Sequence, residues 1–365
     1  MPNARAPHAP PYCPNPECPS HTAPVGCWFV KAGFHERQQV PHRVQRYRCR
    51  NCRRHFSDQT FDPTYWLKRA DLLAAVFHGL LACSGFRQMA RSHDVSPNTI
   101  ATHTARLGRH CQLFHERMRP KGPVTEALVL DSFQSFEHSQ YSPTLFHTLV
   151  GKDTHFVHGF TDSELRRSGR MTKGQKRRRA KLEATYGRPD PRSIEKEVAA
   201  LLAAVLPEPQ SIVLHTDEHQ DYPRAIARLK HLEVDHRTTS SRAARTQYND
   251  LFPINLLDLL FRHSGANHKR ETIAFSKRRQ SAIERLWVLV VWRNYMKWFS
   301  ERVHDTTPAM RAGVTKRRLK LKDILKKRLF VTRVGLPAPW SRYYWRKVVT
   351  RRVPNCREHR LRFAA

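Results

Sequence analysis

The chain reads as an α/β protein: a mixed sheet flanked by helices, preceded by a small cysteine-bound ribbon and a helix-turn-helix. Three observations predict this. Apolar segments between residues 127 and 235 follow a strand, strand, strand, helix, strand, helix, strand order. Four cysteines fall into two knuckles near the start, and helical periodicity fills the stretch between knuckles and strands. The expected organisation is a ribbon over 10–60, a helix-turn-helix domain over 64–120, a core over 124–303 with a basic insertion at 164–192, and a basic tail over 304–365.

In the ribbon the spacing is Cys13-x4-Cys18 and Cys49-x2-Cys52, with strand-like Cys27-Trp-Phe-Val and Val44-Gln-Arg-Tyr-Arg-Cys between them. Two thiolate pairs on turns joined by a hairpin suit the tetrahedral sulfur cage of structural Zn²⁺. Cys27 and His21 are alternative ligands, and disulfides are the competing explanation. Disulfides fit poorly with a chain that lacks an apolar signal region and carries a DNA-seeking charge. Cys83, Cys111 and Cys356 stand alone and read as buried apolar thiols.

Leu67 to Ala82 places Leu72, Leu73, Val76, Phe77, Leu80 and Leu81 at helical spacing. A short helix from Phe86 to His93 follows, and Ser96-Pro97 opens a third, with the hydroxyl as cap and proline in the first turn. Ala90, Val95 and Ile100 are spaced as two touching helices of a helix-turn-helix require. That arrangement turns Asn98, Thr99, Thr102, His103 and Arg106 outward, toward a major groove. A plain three-helix bundle without groove contact is the alternative.

In the core, strands are expected at Ala127 to Asp131, Leu145 to Val150, His155 to Phe160, Ile212 to Thr216 and Leu232 to Asp235. Helices are expected at Ser193 to Leu206, Tyr222 to Lys230 and Pro253 to His263. Asp131 closes the first strand and Asp217 the fourth. Asn255, Asp258 and Arg262 fall at i, i+3 and i+7 on one side of an otherwise apolar helix. Carboxylates at such strand ends suit a pair of Mg²⁺ ions working on a phosphodiester, because hard cations take oxygen ligands and offset phosphate charge. Each acid also has an ordinary reading: a turn for Asp131, a helix cap for Asp217, and an i, i+4 pair with Arg262 for Asp258.

Composition points the same way. With 65 Lys and Arg against 31 Asp and Glu, the formal charge is +34, so the expected partner is a polyanion, duplex DNA or RNA. No apolar run reaches membrane-spanning length, since Leu286 to Trp292 is followed by Arg293, Asn294 and Lys297. Nine cations without an acid lie between Leu165 and Lys181, a density that predicts a segment mobile until phosphates neutralise it. Arg177, Arg178 and Arg179 are its centre. The tail from Arg311 to Arg362 is also basic, and its aromatics would either stack on unpaired bases or pack on the core.

Taken in order, Cys13, Cys18, Cys49 and Cys52, then Leu130-Asp131, His215-Thr-Asp217 and the run from Arg270 to Lys277, the chain resembles bacterial insertion-sequence transposases. The resemblance covers most of residues 10–300. It implies an RNase H-like DDE core behind a zinc ribbon and helix-turn-helix, with Asp131, Asp217 and Asp258 as catalytic ligands of two Mg²⁺ (or Mn²⁺) ions, Arg262 near phosphate, and structural Zn²⁺ on the four cysteines. Aspartate at 258 departs from the glutamate usual in that family, and Glu271 and Glu284 are rivals for its place. Glu218 and Asp221 are near enough to stand in for Asp217, and His215 would either touch a phosphate or pack inside a strand. The implied activity is binding of terminal inverted repeats and Mg-dependent cleavage and transfer of strands into target DNA. The enzyme would be a homo-oligomer with no membrane association, in the cytoplasm with the nucleoid. A catalytically inactive DNA-binding descendant and a metal-dependent nuclease are the alternatives.

Overall fold

The computed structural model describes residues 9–38, 42–240, 242–269, 272–329 and 335–353. The amino-terminal part holds a short helix α1 (Pro19–Thr22) and an antiparallel sheet in the order β1 (Phe29–Glu36), β2 (Arg43–Cys49), β3 (His55–Ser57). Strand β2 alternates buried Val44, Tyr47 and Cys49 with exposed Arg46 and Arg48, the pattern of a sheet wetted on one face. Trp28, Tyr47, Phe56 and Phe61 pack with the buried cysteines into a cluster separate from the main core.

Helices α2 (Leu72–Leu81), α3 (Phe86–Ser92) and α4 (Pro97–Met118) follow. Ser96 Oγ accepts from Asn98 N at 3.2 Å, the cap that the Ser-Pro pair predicts. Helix α4 does not stop near Leu107. It runs for 22 residues, roughly 33 Å at 1.5 Å per residue, and most of it from Ile100 onward is buried. There it packs along α9 (Arg279–Val291). Gly108 allows that approach, because a Cβ at this position would sit 2.5 Å from the Glu284 carbonyl oxygen.

The central sheet is built from β4 (Leu128–Phe136), β5 (Pro143–Gly151), β6 (Val157–Glu164), β7 (Gln210–Thr216) and β8 (Leu232–Thr238), with α5 (Lys173–Tyr186) and α6 (Ser193–Val205) between β6 and β7 and α7 (Asp221–Ile226) before β8. Its order is β6-β5-β4-β7-β8. The first three strands form an antiparallel meander, while β4–β7 and β7–β8 pair in parallel. A meander extended by two crossover strands is the RNase H-like arrangement, so the expected fold class is found. Helix α8 (Phe252–Ser264) lies on the face that bears Phe133, whose ring meets Phe261 at 6.1 Å. Helix α6 lies on the other face, where Thr161 donates to the Glu197 carbonyl at 2.8 Å.

After α9 the chain makes a π turn (Trp292–Met296) and three short helices, α10 (Pro308–Arg311), α11 (Leu321–Leu325) and α12 (Ala338–Tyr344). One apolar core extends from Leu67 to Val348 and so joins the helix-turn-helix helices, the sheet and this carboxy-terminal stretch. Trp340, Tyr343 and Tyr344 are buried in it, which decides for packing over base stacking at these three rings. The basic insertion also departs from expectation. Residues 173–186 form a helix, with a capping box in which Thr172 and Gln175 exchange bonds of 3.0 and 3.2 Å. No residue of α5 is buried. Glu183 holds it in place by pairing with Arg166 at 2.8 Å and Arg179 at 3.5 Å.

Candidate active site and metal centre

The Sγ atoms of Cys13, Cys18, Cys49 and Cys52 lie within 4.8 Å of one another. The Cys13–Cys52 and Cys18–Cys49 separations are 3.6 and 3.7 Å. Tetrahedral Zn–S bonds of about 2.3 Å require sulfurs about 3.8 Å apart, so the set fits structural Zn²⁺. All four are free thiols, so disulfide pairing is not found. Cys27 is exposed and outside the cluster, and His21 turns its Nδ1 to the Cys13 carbonyl at 2.7 Å. Burial pushes the Cys13 and Cys18 thiols up. At Cys49 burial acts in the same direction, but the backbone N–H groups of Cys52 and Asn51 outweigh it and bring the thiol down to about 7. Of the lone cysteines, Cys111 is buried and Cys83 half-buried; Cys356 lies outside the described residues.

The carboxylates are positioned by strand register. Leu128 and Val129 of β4 pair with Leu214 and His215 of β7. Two residues further along stand Asp131, still on β4, and Asp217, the first residue beyond β7. Asp131 is not at a strand end as expected, since β4 continues to Phe136; it stands two residues past the last pair of the ladder to β7. This is the crevice at which a sheet's strand order reverses, where α/β sheets place ligands. Asp258 comes to the same face on α8, one turn before Phe261.

Their electrostatics couple them. Burial pushes the Asp131 carboxyl up to about 6, against the Ser132 N–H that donates to its Oδ1 at 2.6 Å. The Asp217 charge adds to the rise, and Arg245 and Arg262 oppose it. Burial, and then the charge of Asp131, hold Asp258 well above the usual carboxylate range, with Arg262 and Arg245 pulling the other way. Asp258 Oδ1 is buried and accepts no hydrogen bond, an unmet demand for a donor or cation. Asp217 Oδ1 accepts from His219 N at 3.0 Å. Among the described residues only the four cysteines converge to within 4.8 Å, so the three aspartates, though electrostatically coupled, stand at wider spacing. Oxygen donors, an orphaned buried oxygen and two carboxyls raised chiefly by burial are a donor set that suits hard divalent cations.

Of the rivals, Glu284 is buried away from this crevice, bound to Arg346 at 2.8 Å and to Gln280 at 3.3 Å. Glu271 lies outside the described residues. Asp221 is taken by Arg224 at 3.1 Å and Glu218 is exposed. His215 is a packed strand histidine, buried and 3.3 Å from Lys152 Nζ.

The groove-facing set divides. Asn98 and Thr102 are exposed and Thr99 half-buried. The outward orientation expected of His103 and Arg106 is not found: His103 bonds the Arg69 carbonyl at 2.7 Å, and Arg106 donates to the Tyr65 carbonyl at 2.7 Å. Both are buried because α4 turns into the core after its first turn. Arg177 and Arg178 are exposed on α5, whereas Arg179 is directed inward to the Arg167 carbonyl at 2.8 Å. Arg262 is half-buried above Phe133, 6.0 Å from the ring centre.

Two residues of the crevice carry no sequence signal. Arg245 lies in the polar stretch before α8, and nothing in its neighbourhood marks it out. Tyr222 opens α7, is buried, and sits close enough to feel all three acids.

No family model matches the chain, and no curated protein matches it. Among solved structures, a chain of the cryoEM structure of a simian T-cell lymphotropic virus intasome in complex with PP2A regulatory subunit B56 gamma is similar over 65% of this chain and 71% of that one. The identity is 12% and the TM-score 0.27, a similarity too loose to bear on the site or its chemistry. No helix among the described residues is long and apolar enough to cross a membrane.

Proposed function

We propose that this protein is a DDE-type transposase that binds the terminal repeats of an insertion element and catalyses metal-dependent strand cleavage and transfer. The observation that supports the reading is the electrostatic coupling of Asp131 on β4 with Asp217, just past the end of the parallel strand β7, and with Asp258 on α8. Asp131, Asp217 and Asp258 would hold two Mg²⁺ or Mn²⁺ ions. Bound there, such ions lower the pKa of an attacking water or 3′-hydroxyl and stabilise the leaving oxygen. Asp131 and Asp258 contribute carboxyls whose proton affinity is raised chiefly by burial and further by neighbouring acid charge, both of which a bound cation offsets. Arg245 and Arg262 carry positive charge beside the acids and suit a phosphate there. Structural Zn²⁺ on the ribbon cysteines, with Asn98, Thr99 and Thr102 at the exposed start of α4, would read the repeats, and Arg177 and Arg178 would grip backbone phosphates. Two element ends joined in one event call for a homo-oligomer.

The wider spacing of the three aspartates favours, as a second reading, a descendant that binds DNA without cutting it. An end-cleavage and joining assay on the DNA flanking the reading frame decides. Wild type should cleave and join with Mg²⁺ or Mn²⁺, and Asp131→Ala should bind DNA with the same salt sensitivity and do neither. Cleavage without joining would mean a nuclease. Binding with no cleavage of any end sequence would leave the non-catalytic reading.

A further inference from the structure

Beneath Asp131 runs a row of polar groups that the chemistry above does not use. Tyr222 Oη lies 3.1 Å from Ser132 Oγ, Ser132 Oγ lies 2.6 Å from His147 Nδ1, and His147 Nε2 lies 2.7 Å from Ser163 Oγ. The row crosses β4, β5 and β6, with Ser132 and His147 directly paired across the first ladder. His147, Ser163 and Tyr222 are buried. Burial holds the His147 imidazole well below its ordinary range, so the ring is neutral, with one nitrogen donating and the other accepting. Its charged neighbours are Asp162 and His219.

Burying four polar side chains costs free energy unless each is satisfied, and an apolar row of similar volume would pack this sheet without that cost. The location supplies a reason for keeping them. The ladder between β4 and β7 covers only Leu128 and Val129, so the next stretch of β4, Asp131 and Ser132, has no strand beside it on that side. Tyr222 reaches this notch from α7, on the side of β4 opposite α8, and bonds Ser132 there.

We propose that Tyr222, Ser132 and His147 are positioning residues: a hydrogen-bonded strut that replaces the missing ladder and fixes the segment of β4 from which Asp131 meets its cations. The strut acts through Ser132, whose N–H also holds Asp131 Oδ1. It rests on the functional reading given above, in that Asp131 is taken to be a cation ligand. Residues that orient ligands from behind typically change metal affinity or activity by roughly 10- to 100-fold when removed.

The test is calorimetric titration of Mn²⁺ into the full-length, zinc-loaded protein without DNA, with Asp131→Ala as the control for binding at this site. Tyr222→Phe and Ser132→Ala should bind Mn²⁺ roughly 10- to 100-fold more weakly, while Ser132→Thr, which keeps the hydroxyl, should stay near wild type. Thermal midpoints of the same samples separate positioning from mere stability. Variants that melt lower yet bind Mn²⁺ like wild type overturn the strut and leave the functional reading standing. A wild type that binds no more Mn²⁺ than Asp131→Ala overturns both.

Discussion

At the scale of single residues, the acid crevice carries a cost in stability that can be measured. The Asp131 carboxyl rises from 3.8 to about 6 in the fold, chiefly through burial. Well below pH 4 it is protonated in the folded and unfolded chain alike and costs nothing. As pH climbs from about 4 to 6 the unfolded chain ionises first, so folding is disfavoured, and the loss is complete once pH passes the folded value. Asp131→Asn removes this titration and its repulsion of Asp217 and Asp258. In cation-free buffer it should be more stable than wild type at pH 8 by about 1–3 kcal/mol, after allowance for partial exposure, and by only a small fraction of that at pH 4. Thermal melts at the two pH values check this, and an equal effect at both would make Asp131 an ordinary packing residue. Asp131 and Asp217 were visible in the sequence because an apolar run ending in an acid is rare in so basic a chain. Arg245 and Tyr222 were not, since what brings them to the crevice is the register of β4 on β7 and the path of the loop before α8. His103 and Arg106 were assigned outward on the assumption of a short recognition helix, whereas α4 continues into the core, where they bond backbone carbonyls.

Among the elements, the ribbon stands apart. Its aromatic cluster, with Trp28, Tyr47, Phe56 and Phe61 around the thiols, shares no buried residue with the main core. So small a cluster supplies little stability by itself, and structural zinc contributes on the order of 10 kcal/mol in such modules. Chelation, or Cys49→Ala, should therefore unfold residues 9–62 selectively. Zinc content should fall from one ion per chain to none, and amide exchange should become fast in β1–β3 while α9 and β4 stay protected. Loss of protection throughout the chain would contradict this. The knuckles were legible because ligand spacing is a local property. The insertion was not: nine cations read as a self-repelling loop, but Glu183, Arg166 and the Thr172 capping box give those residues a helix. Strand β6 was expected to end at Phe160, but it continues through Thr161, Asp162 and Ser163. They are buried strand residues satisfied from far along the chain, Asp162 by Tyr343 at 2.5 Å and by Arg279 at 3.0 Å.

Across the whole molecule, that distant satisfaction makes the carboxy-terminal stretch part of the fold and not an appended basic tail. Trp340 is its pivot. The indole N–H donates to the Phe160 carbonyl at 2.8 Å, and the Trp340 carbonyl accepts from Gln112 on α4 at 2.6 Å. The ring lies so close to β6 that a Cβ on Gly159 would fall 2.2 Å from it. One residue thus bonds the edge of the sheet through its side chain and, through its backbone, the long helix that begins as the second half of the helix-turn-helix. Around it Arg342 pairs with Glu197 at 2.5 Å, and Arg351 with Glu164 at 3.0 Å, so part of the tail's positive charge is held by acids of the core. Trp340→Ala should cost about 3–5 kcal/mol through the cavity it leaves and the buried partners it strands. Because a single apolar core runs from Leu67 to Val348, this loss should lower one common unfolding transition of helices and sheet, with the zinc ribbon unaffected. Amide exchange decides the matter. If α4 and β4–β6 lose protection together, the helix-turn-helix and the acid-bearing sheet are one cooperative body, and DNA held at Asn98 is held in fixed relation to Asp131. If they melt apart, the two are separable units, and Trp340 only seals the edge of the sheet.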